Sequence, residues 1–429
     1  MHKEGATGNP GVARGVPSLL RAINERSILD LLSRDGPLSR TRLSAESGLS
    51  KPTVGIVLQG LQRDGLVNEA GRSSGSPGPK AALYELNPRA GWVAGIDIGR
   101  EWVRAAIADI TGTVVARRDQ RARVRSASTL ISQVASLAHD LAAEVGVHWD
   151  QVTHATVGSP GVFHPGHGQV ELAPNLPGWS RQGLVDTLRE ELGVGITFEN
   201  DVNLAALGEQ WRGLGRNVHN FLYLWIGTGV GLGLILEGRL YRGTNGRAGE
   251  VGYMPLGAGG RDAHLNRRRG SFEEGVAATG VLAVARELGM QAPRSAKDVF
   301  TAARRGDPLA RQAVELEAAR IAVGIAVIVP VVDPQLVILG GGIGRNGDLL
   351  IEPVKRELHR LSPFTPLIAE SPLGEDAVLH GAIAVAAAAA RDKLFTRGSW
   401  REVPGRTGPS GCRPGSSNWE LESAGAVEG

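Results

Sequence analysis

A chain of 429 residues, 42% of them hydrophobic, is too long for one small domain and can build two or three cores. No apolar run approaches the roughly 18 residues a membrane span needs, residues 1–16 hold no apolar leader segment, and a single cysteine, Cys412, excludes an internal disulfide framework and a cysteine metal cluster. Net charge is only +3, yet residues 1–90 carry 12 Lys/Arg against 8 Asp/Glu, so the basic surplus lies at the start of the chain; these features suit a cytoplasmic protein with no membrane partner, and either a solvated basic surface or a nucleic-acid footprint.

Residues 1–17 are rich in Gly and Pro and read as disordered. A helical pattern follows over 19–32, with Leu20, Ile23, Ile28, Leu31 and Leu32 at apolar positions, and Gly36-Pro37 stops it. Residues 39–64 then read as two short helices. Ser39 and Ser50 are placed to cap them, Gly48 supplies the turn between them, and Pro52 falls in the first turn of the second, where its missing N–H costs little. Val54, Val57, Leu58 and Leu61 form an inward stripe at helical spacing. The outward surfaces carry Arg40, Arg42, Ser50, Lys51, Thr53, Gln59 and Arg63, residue types that reach base edges and phosphates when such a helix enters the major groove. Gly55 and Ile56 are unusually non-polar for that face. Segment 71–80, flanked by Arg72 and Lys80 and followed by a strand at 82–86, has the composition of a wing. Turn, caps, stripe, basic face and wing agree on a winged helix-turn-helix over residues 18–88, with double-stranded operator DNA as its partner.

Asn87-Pro88 marks a boundary, after which strands and helices alternate in the manner of an α/β fold. Strands are expected at 93–99, 103–109, 113–117, 155–158, 196–199, 221–226 and 336–339, and helices at 130–145 and 202–211. The alanine-rich run 384–390 reads as a buried helix, and no fixed-period repeat is visible. Two glycine turns, Gly227–Gly233 and Gly340–Gly344, each follow an apolar strand, where backbone N–H groups can approach an anion. The same glycines also suit sharp strand-to-helix connections. Residues 396–429, rich in Gly, Ser, Pro and Arg, read as a disordered tail.

Several segments together carry a resemblance: Gly158-Ser-Pro-Gly-Val162, Pro174-Asn175-Leu-Pro-Gly-Trp179, Glu199-Asn200-Asp201-Val-Asn203, and Gly243 to Tyr253 with its Gly249-Glu250-Val-Gly252 core. Over about residues 18–392 the chain resembles the ROK family, which contains sugar kinases and sugar-responsive repressors. The resemblance implies a two-lobed actin-like (ribonuclease H-like, sugar-kinase) body over residues 89–395, with one lobe at about 89–198 plus the C-terminal helix 376–392 and the other at about 199–375. It also implies that Asn175, Asn200, Glu250 and Glu273 bind sugar hydroxyls. Asp201 would be the catalytic base were the chain a kinase, and a ligand contact otherwise. A carboxylate suits proton abstraction from a hydroxyl, and amides and carboxylates supply the donors and acceptors a polyol needs. Read alone, Asp201 is equally a helix N-cap.

The chain departs from the family in two places. The first phosphate loop, Asp-x-Gly-Gly-Thr in kinases, here reads Asp97-Ile98-Gly99-Arg100-Glu101; Arg100 hinders backbone approach, and Glu101 brings negative charge towards phosphates. The family's zinc positions, one histidine and three cysteines, are Tyr253, His264, Asn266 and Ser271, a poor zinc set, so no metal and no cofactor are expected. Tyr253 is expected to contact the ligand through its hydroxyl or to fill the space where zinc would order the loop. The basic run Arg267-Arg268-Arg269 is a solvated surface or an anion contact. The expected function is a transcriptional regulator, a repressor, that binds a sugar or sugar derivative between the lobes and pairs as a homodimer or dimer of dimers on two-fold operators. An active sugar kinase with a fused DNA-binding unit and a regulator that no longer senses sugar are the alternatives.

Overall fold

The computed structural model describes residues 16–73, 80–164, 168–173, 176–256, 270–291 and 293–399. The N-terminal unit comprises α1 (Val16–Asp35), β1 (Leu38–Ser39), α2 (Arg40–Ser47), α3 (Lys51–Arg63), β2 (Val67–Arg72) and β3 (Ala82–Leu86), its strands antiparallel in the order β1-β3-β2. Local chemistry sets its helix ends. Ser39 Oγ accepts from Arg42 N and Ser50 Oγ from Thr53 N, each at 3.3 Å, and Gly48 turns the chain at φ 72°. Val54, Val57, Leu58 and Leu61 are buried against Ile28, Leu43, Tyr84 and Leu86. Helix α1 begins before the expected position, and Leu20 and Ile23 are 53% and 54% exposed rather than core. Among the described side chains of α1, the small core is met by the later turns, through Ile28, Leu29, Leu31 and Leu32.

The body holds two five-stranded sheets. The first is built from β4 (Trp92–Ile98), β5 (Trp102–Asp109), β6 (Val114–Arg121), β7 (Val152–Ser159) and β10 (Ile196–Asn200), in the order β6-β5-β4-β7-β10. The second is built from β11 (Phe221–Ile226), β12 (Val230–Leu236), β13 (Arg239–Leu240), β14 (Leu336–Gly340) and β15 (Leu367–Glu370), in the order β13-β12-β11-β14-β15. Each is an antiparallel meander of three strands whose first strand also pairs in parallel with the fourth, and the fourth with the fifth. The body is thus a topological duplication, invisible to a search for sequence period. A small hairpin, β8 (Val162–His164) with β9 (Gln169–Glu171), rises from the end of β7.

Helices cover both sheets: α4 (Ala127–Glu144) and α5 (Leu184–Leu192) on the first, and α7 (Ser271–Val276), α8 (Ala278–Glu287), α9 (Ala296–Arg304), α10 (Pro308–Val332), α11 (Gly341–Gly344) and α12 (Gly347–Leu361) with the second. Helices α6 (Asp201–Arg212) and α13 (Ala377–Ser399) cross between the lobes. Their axes meet at glycine: a Cβ on Gly208 would lie 2.2 Å from the Ala377 carbonyl oxygen, and one on Gly381 would lie 1.8 Å from that of Leu204. The alanine run lies in α13 and gives Ala386, Ala387 and Ala390 to its buried face, while Ala388 is exposed. Beyond the body the same helix reaches the N-terminal unit: Leu394 and Phe395 pack on its core, and Asp392 pairs with Arg26 at 2.9 Å. No described helix is long and apolar enough to cross a membrane. Of the segments read as disordered, residues 1–15 and 400–429 lie outside the described residues, while α1 starts at Val16 and α13 continues to Ser399.

Glu317 on α10 is 1% exposed, and neither carboxylate oxygen finds a hydrogen-bond partner among the described residues. Burial pushes its pKa well above the ordinary carboxylate value. Because the folded state holds this proton more tightly than the unfolded chain, its contribution is fully present below the ordinary glutamate pKa and is lost as pH rises. Glu317→Met, close in volume, is therefore expected to stabilise the fold by about 1–3 kcal/mol at neutral pH. The gain should widen with pH in urea unfolding curves; a less stable variant would contradict this.

Candidate functional site

The carboxyl end of the parallel strand β10 carries Asn200 and Asp201, the usual position for binding in such sheets. Strand β10 runs into α6 through Asn200, whose Oδ1 accepts from Val202 N at 2.9 Å and Asn203 N at 3.0 Å. Asn200 is thus the helix cap, a role the sequence also allowed for Asp201, and its Nδ2 donates to the Gly161 carbonyl at 3.1 Å. Asp201 begins the helix and accepts from Val202 N at 2.9 Å. Glu199, buried one residue earlier, organises the segment. Its Oε1 accepts from Asn200 N and Asn203 Nδ2, both at 2.9 Å, and its Oε2 accepts from Arg242 Nε of the second lobe at 2.7 Å.

Asp97, Asp201, Glu250 and Glu273 form a file of acids, each sensing the charge of the next. Burial raises Asp97 to about 7, with Asp201 adding to the shift. Burial raises Asp201 to about 6, helped by Glu250, and raises Glu250 to about 7, helped by Glu273. Tyr253, 37% exposed, lies at the same end: its phenol is pushed up by burial and then by Glu250 and Glu273. Carboxyls that hold protons near neutrality in a half-dry site both donate to and accept from hydroxyl groups. A polar cavity of about 260 Å³, lined by His164, Gln169, Glu171, Asn245 and Arg247, lies between the β8–β9 hairpin and the segment preceding Glu250. There Arg247 from the second lobe meets Glu171 of the β8–β9 hairpin at 3.0 Å. Asn175 lies outside the described residues, as do His264, Asn266 and Arg267–Arg269.

The first phosphate loop is a tight hairpin turn between β4 and β5, closed by Gly99 N donating to Trp102 O at 2.8 Å. Glu101 pairs with Arg121 at 3.2 Å on the exposed edge, so its charge is directed there rather than towards the loop. Arg104 was not anticipated. Its guanidinium holds Asp97 at 3.1 Å and Glu375 at 2.9 Å, and Glu375 holds Arg345, just past α11, at 2.7 Å. The signal was available as the one arginine inside the apolar run Val103–Ala108, in cross-strand register with Asp97. The glycine turn expected over Gly227–Gly233 ends before Val230: Gly231 and Gly233 lie in strand β12, so the turn joins two antiparallel strands rather than a strand and a helix. It contains a built-in anion: Val230 N donates to Glu273 Oε2 at 3.0 Å, and a Cβ on Gly229 would touch that oxygen at 3.0 Å. In the second turn, Gly340 and Gly341 are packing glycines, since added Cβ atoms would strike Tyr223 Oη at 2.0 Å and Ile226 O at 2.4 Å. Gly342 is different, because a Cβ there meets nothing within 4 Å.

The residues present do not fit the zinc of the family. Ser271, at a cysteine position, spends its hydroxyl on Met254 O at 3.0 Å, and Phe272 N donates to the same oxygen at 3.2 Å. These bonds, with Gly270 closed on the Gly252–Tyr253 backbone, join the described segments 252–254 and 270–272 to each other directly. A tyrosine whose phenol is pushed upward is a poor zinc donor beside imidazole or thiolate.

In the N-terminal unit, α3 presents Lys51, Ile56, Gln59 and Arg63 to solvent, and Arg72 and Lys80 are exposed on either side of the wing tip, whose residues 74–79 lie outside the described residues. Ser50 and Thr53 bond each other through their hydroxyls at 2.8 Å at the helix start. Arg42 faces Glu46 at 3.9 Å. Arg40 is drawn onto the wing strand, its Nε donating to Tyr84 Oη at 3.0 Å with the guanidinium 5.3 Å from the ring centre.

The ROK family model matches residues 93–389, and a winged helix-turn-helix DNA-binding model matches residues 21–68. The chain is similar to the xylose repressor of Caldicellulosiruptor bescii, 26% identical over 388 residues that span 86% of this chain and 97% of that protein. It is also similar to the glucokinase of Halalkalibacterium halodurans, 29% identical over 313 residues, 68% of this chain and 93% of that one. Among solved structures, a ROK family transcriptional regulator described as a homologue of the E. coli MLC protein superposes with a TM-score of 0.74 at 20% identity, covering 89% of this chain and 99% of its own. The family match spans more than half of the chain and the winged helix-turn-helix precedes it: this protein belongs to the ROK family, with a DNA-binding unit joined to a sugar-kinase-like body.

Proposed function

We propose that the protein is a cytoplasmic, sequence-specific transcriptional repressor whose operator affinity is set by a sugar or sugar derivative bound at the acid file. One observation carries the reading. Helix α6 begins at Asp201 in the site and crosses α13 at Gly208 and Gly381, and α13 ends on the winged-helix core through Leu394 and Phe395. A ligand that draws Glu250 and Tyr253 towards Asp201 would favour one lobe arrangement, and α13 would carry that preference to the DNA-binding unit. Two-fold operators call for two copies. Helix α10 offers a pairing face, since Leu316, Val323, Val327 and Val331 are 43%, 37%, 44% and 84% exposed at helical spacing.

The test uses the full chain and a duplex chosen by selection from a randomised library. Fluorescence anisotropy is measured with a panel of pentoses, hexoses and their derivatives, chosen because the relatives are named xylose repressor and glucokinase. One sugar class is expected to change operator affinity at least tenfold. No response to any sugar would favour a regulator that no longer senses one, and no selected sequence would remove the DNA-binding reading.

A kinase is the second reading, supported by Gly342, whose open backbone packing does not demand. Against it stand Asp97, held by Arg104, and the exposed Arg100 in place of a loop glycine. We expect no sugar-dependent ADP release in a coupled assay; turnover with any hexose would overturn that.

A further inference from the structure

Gly55 lies in the middle of the recognition helix α3 with ordinary helical backbone, and a Cβ there would meet nothing within 4 Å. Neither backbone nor packing calls for glycine, which weakens a helix interior relative to alanine. Gly60 of the same helix differs: it is buried, and its Cβ would press on Arg21 and Glu25 at 3.3 and 3.4 Å. Beside Gly55, Ile56 is 69% exposed. With Pro52 and Gln59 these residues make one outward strip at i, i+3, i+4 and i+7, opposite the buried Val54, Val57, Leu58 and Leu61. The basic residues lie at its ends, Lys51 first and Arg63 last.

We propose that Gly55 and Ile56 are specificity-determining residues for operator binding. Gly55 lets the helix backbone approach the major-groove edge closely, and Ile56 packs on the 5-methyl group of a thymine. Gln59, one turn on, has the amide geometry that pairs bidentately with adenine N6 and N7. With no arginine in the middle of the strip to take guanine, the half-site core read by α3 is A·T. This rests on the DNA-binding reading above.

The experiment starts from the consensus duplex selected by the full-length protein, with each thymine replaced singly by deoxyuridine, which pairs identically and lacks only the methyl group. At one or two positions per half-site, the replacement is expected to weaken wild-type binding roughly fivefold or more. Ile56→Ala, a change on an exposed position, should bind thymine and uracil forms equally. Gly55→Ala should raise the melting temperature and yet weaken operator binding, with the salt dependence unchanged because phosphate contacts are kept. Uniform indifference to uracil, uracil sensitivity retained by Ile56→Ala, or full affinity in Gly55→Ala would each overturn the inference. Failure of the wild type to select any sequence precedes all variants and would overturn the DNA-binding reading itself.

Discussion

Gly381→Ala is expected to destabilise the protein by roughly 3 kcal/mol or more, at the upper end of what overpacking costs. The added methyl would stand 1.8 Å from the Leu204 carbonyl oxygen, a backbone atom inside α6 that cannot rotate away. The helices must move apart, and with them the buried faces that α13 shares with β4 and β7. Gly208→Ala strikes the same crossing from the other side, at 2.2 Å from Ala377 O. Once the helices have separated the second methyl meets little, so the double variant should cost clearly less than the sum of the two. Gly275→Ala serves as the control, because a Cβ there meets nothing within 4 Å. Urea unfolding followed by circular dichroism reads all four proteins. If the proposed route from site to DNA runs through this crossing, a Gly208→Ala protein that still folds should keep operator binding but show a reduced sugar response.

Glu250→Gln is expected to separate stability from response. The folded-state pKa values of Asp97, Asp201 and Glu250, about 7, 6 and 7, all lie above ordinary carboxylate values. For such groups the folded state binds protons more tightly, so their contribution is fully present below about pH 4 and is lost as pH rises through 6–7. The ligand-free wild type should therefore lose stability between pH 5 and pH 8. Glu250→Gln removes one of the repelling carboxylates, and its melting temperature should exceed that of the wild type by on the order of 2–4 °C at pH 8 and by nothing measurable at pH 5. The same change should weaken the sugar response roughly 10- to 100-fold, the worth of a hydrogen bond to a charged group. Scanning calorimetry and the anisotropy titration read the two effects. A variant equally stable at both pH values with full sugar response would remove Glu250 from the site.

The winged helix-turn-helix was legible because its determinants are local. Ser39, Gly48, Ser50 and Pro52 act within a turn of their own positions, and the stripe Val54 to Leu61 follows from helical period alone. The positions of several strands in the body were legible through apolar runs, while their order in the sheets was not. Its duplication was not, since the two halves share strand order and direction rather than residues. At the site, sequence resemblance brought forward Asp201, Glu250 and Glu273, and the structure gathers them. It also assigns the capping role to Asn200 rather than Asp201, and it shows Asn200 Nδ2 bonded to Gly161 and Glu273 bonded within the glycine turn, partners 39 and 43 residues away that leave no trace in spacing.

Sequence by itself determined several strands and helices of the body, where α2 and α3 of the DNA-binding unit start, and which residue types the kinase-like motifs lack, since caps, turns and periodicity act over a few residues. Only the tertiary structure decided that Arg104 holds Asp97, that Ser271 bonds the Met254 carbonyl directly, and that α13 crosses α6 and packs on the core of the N-terminal unit. Those depend on burial and on contacts between distant residues, which exist only once the two sheets and the helices between them have packed.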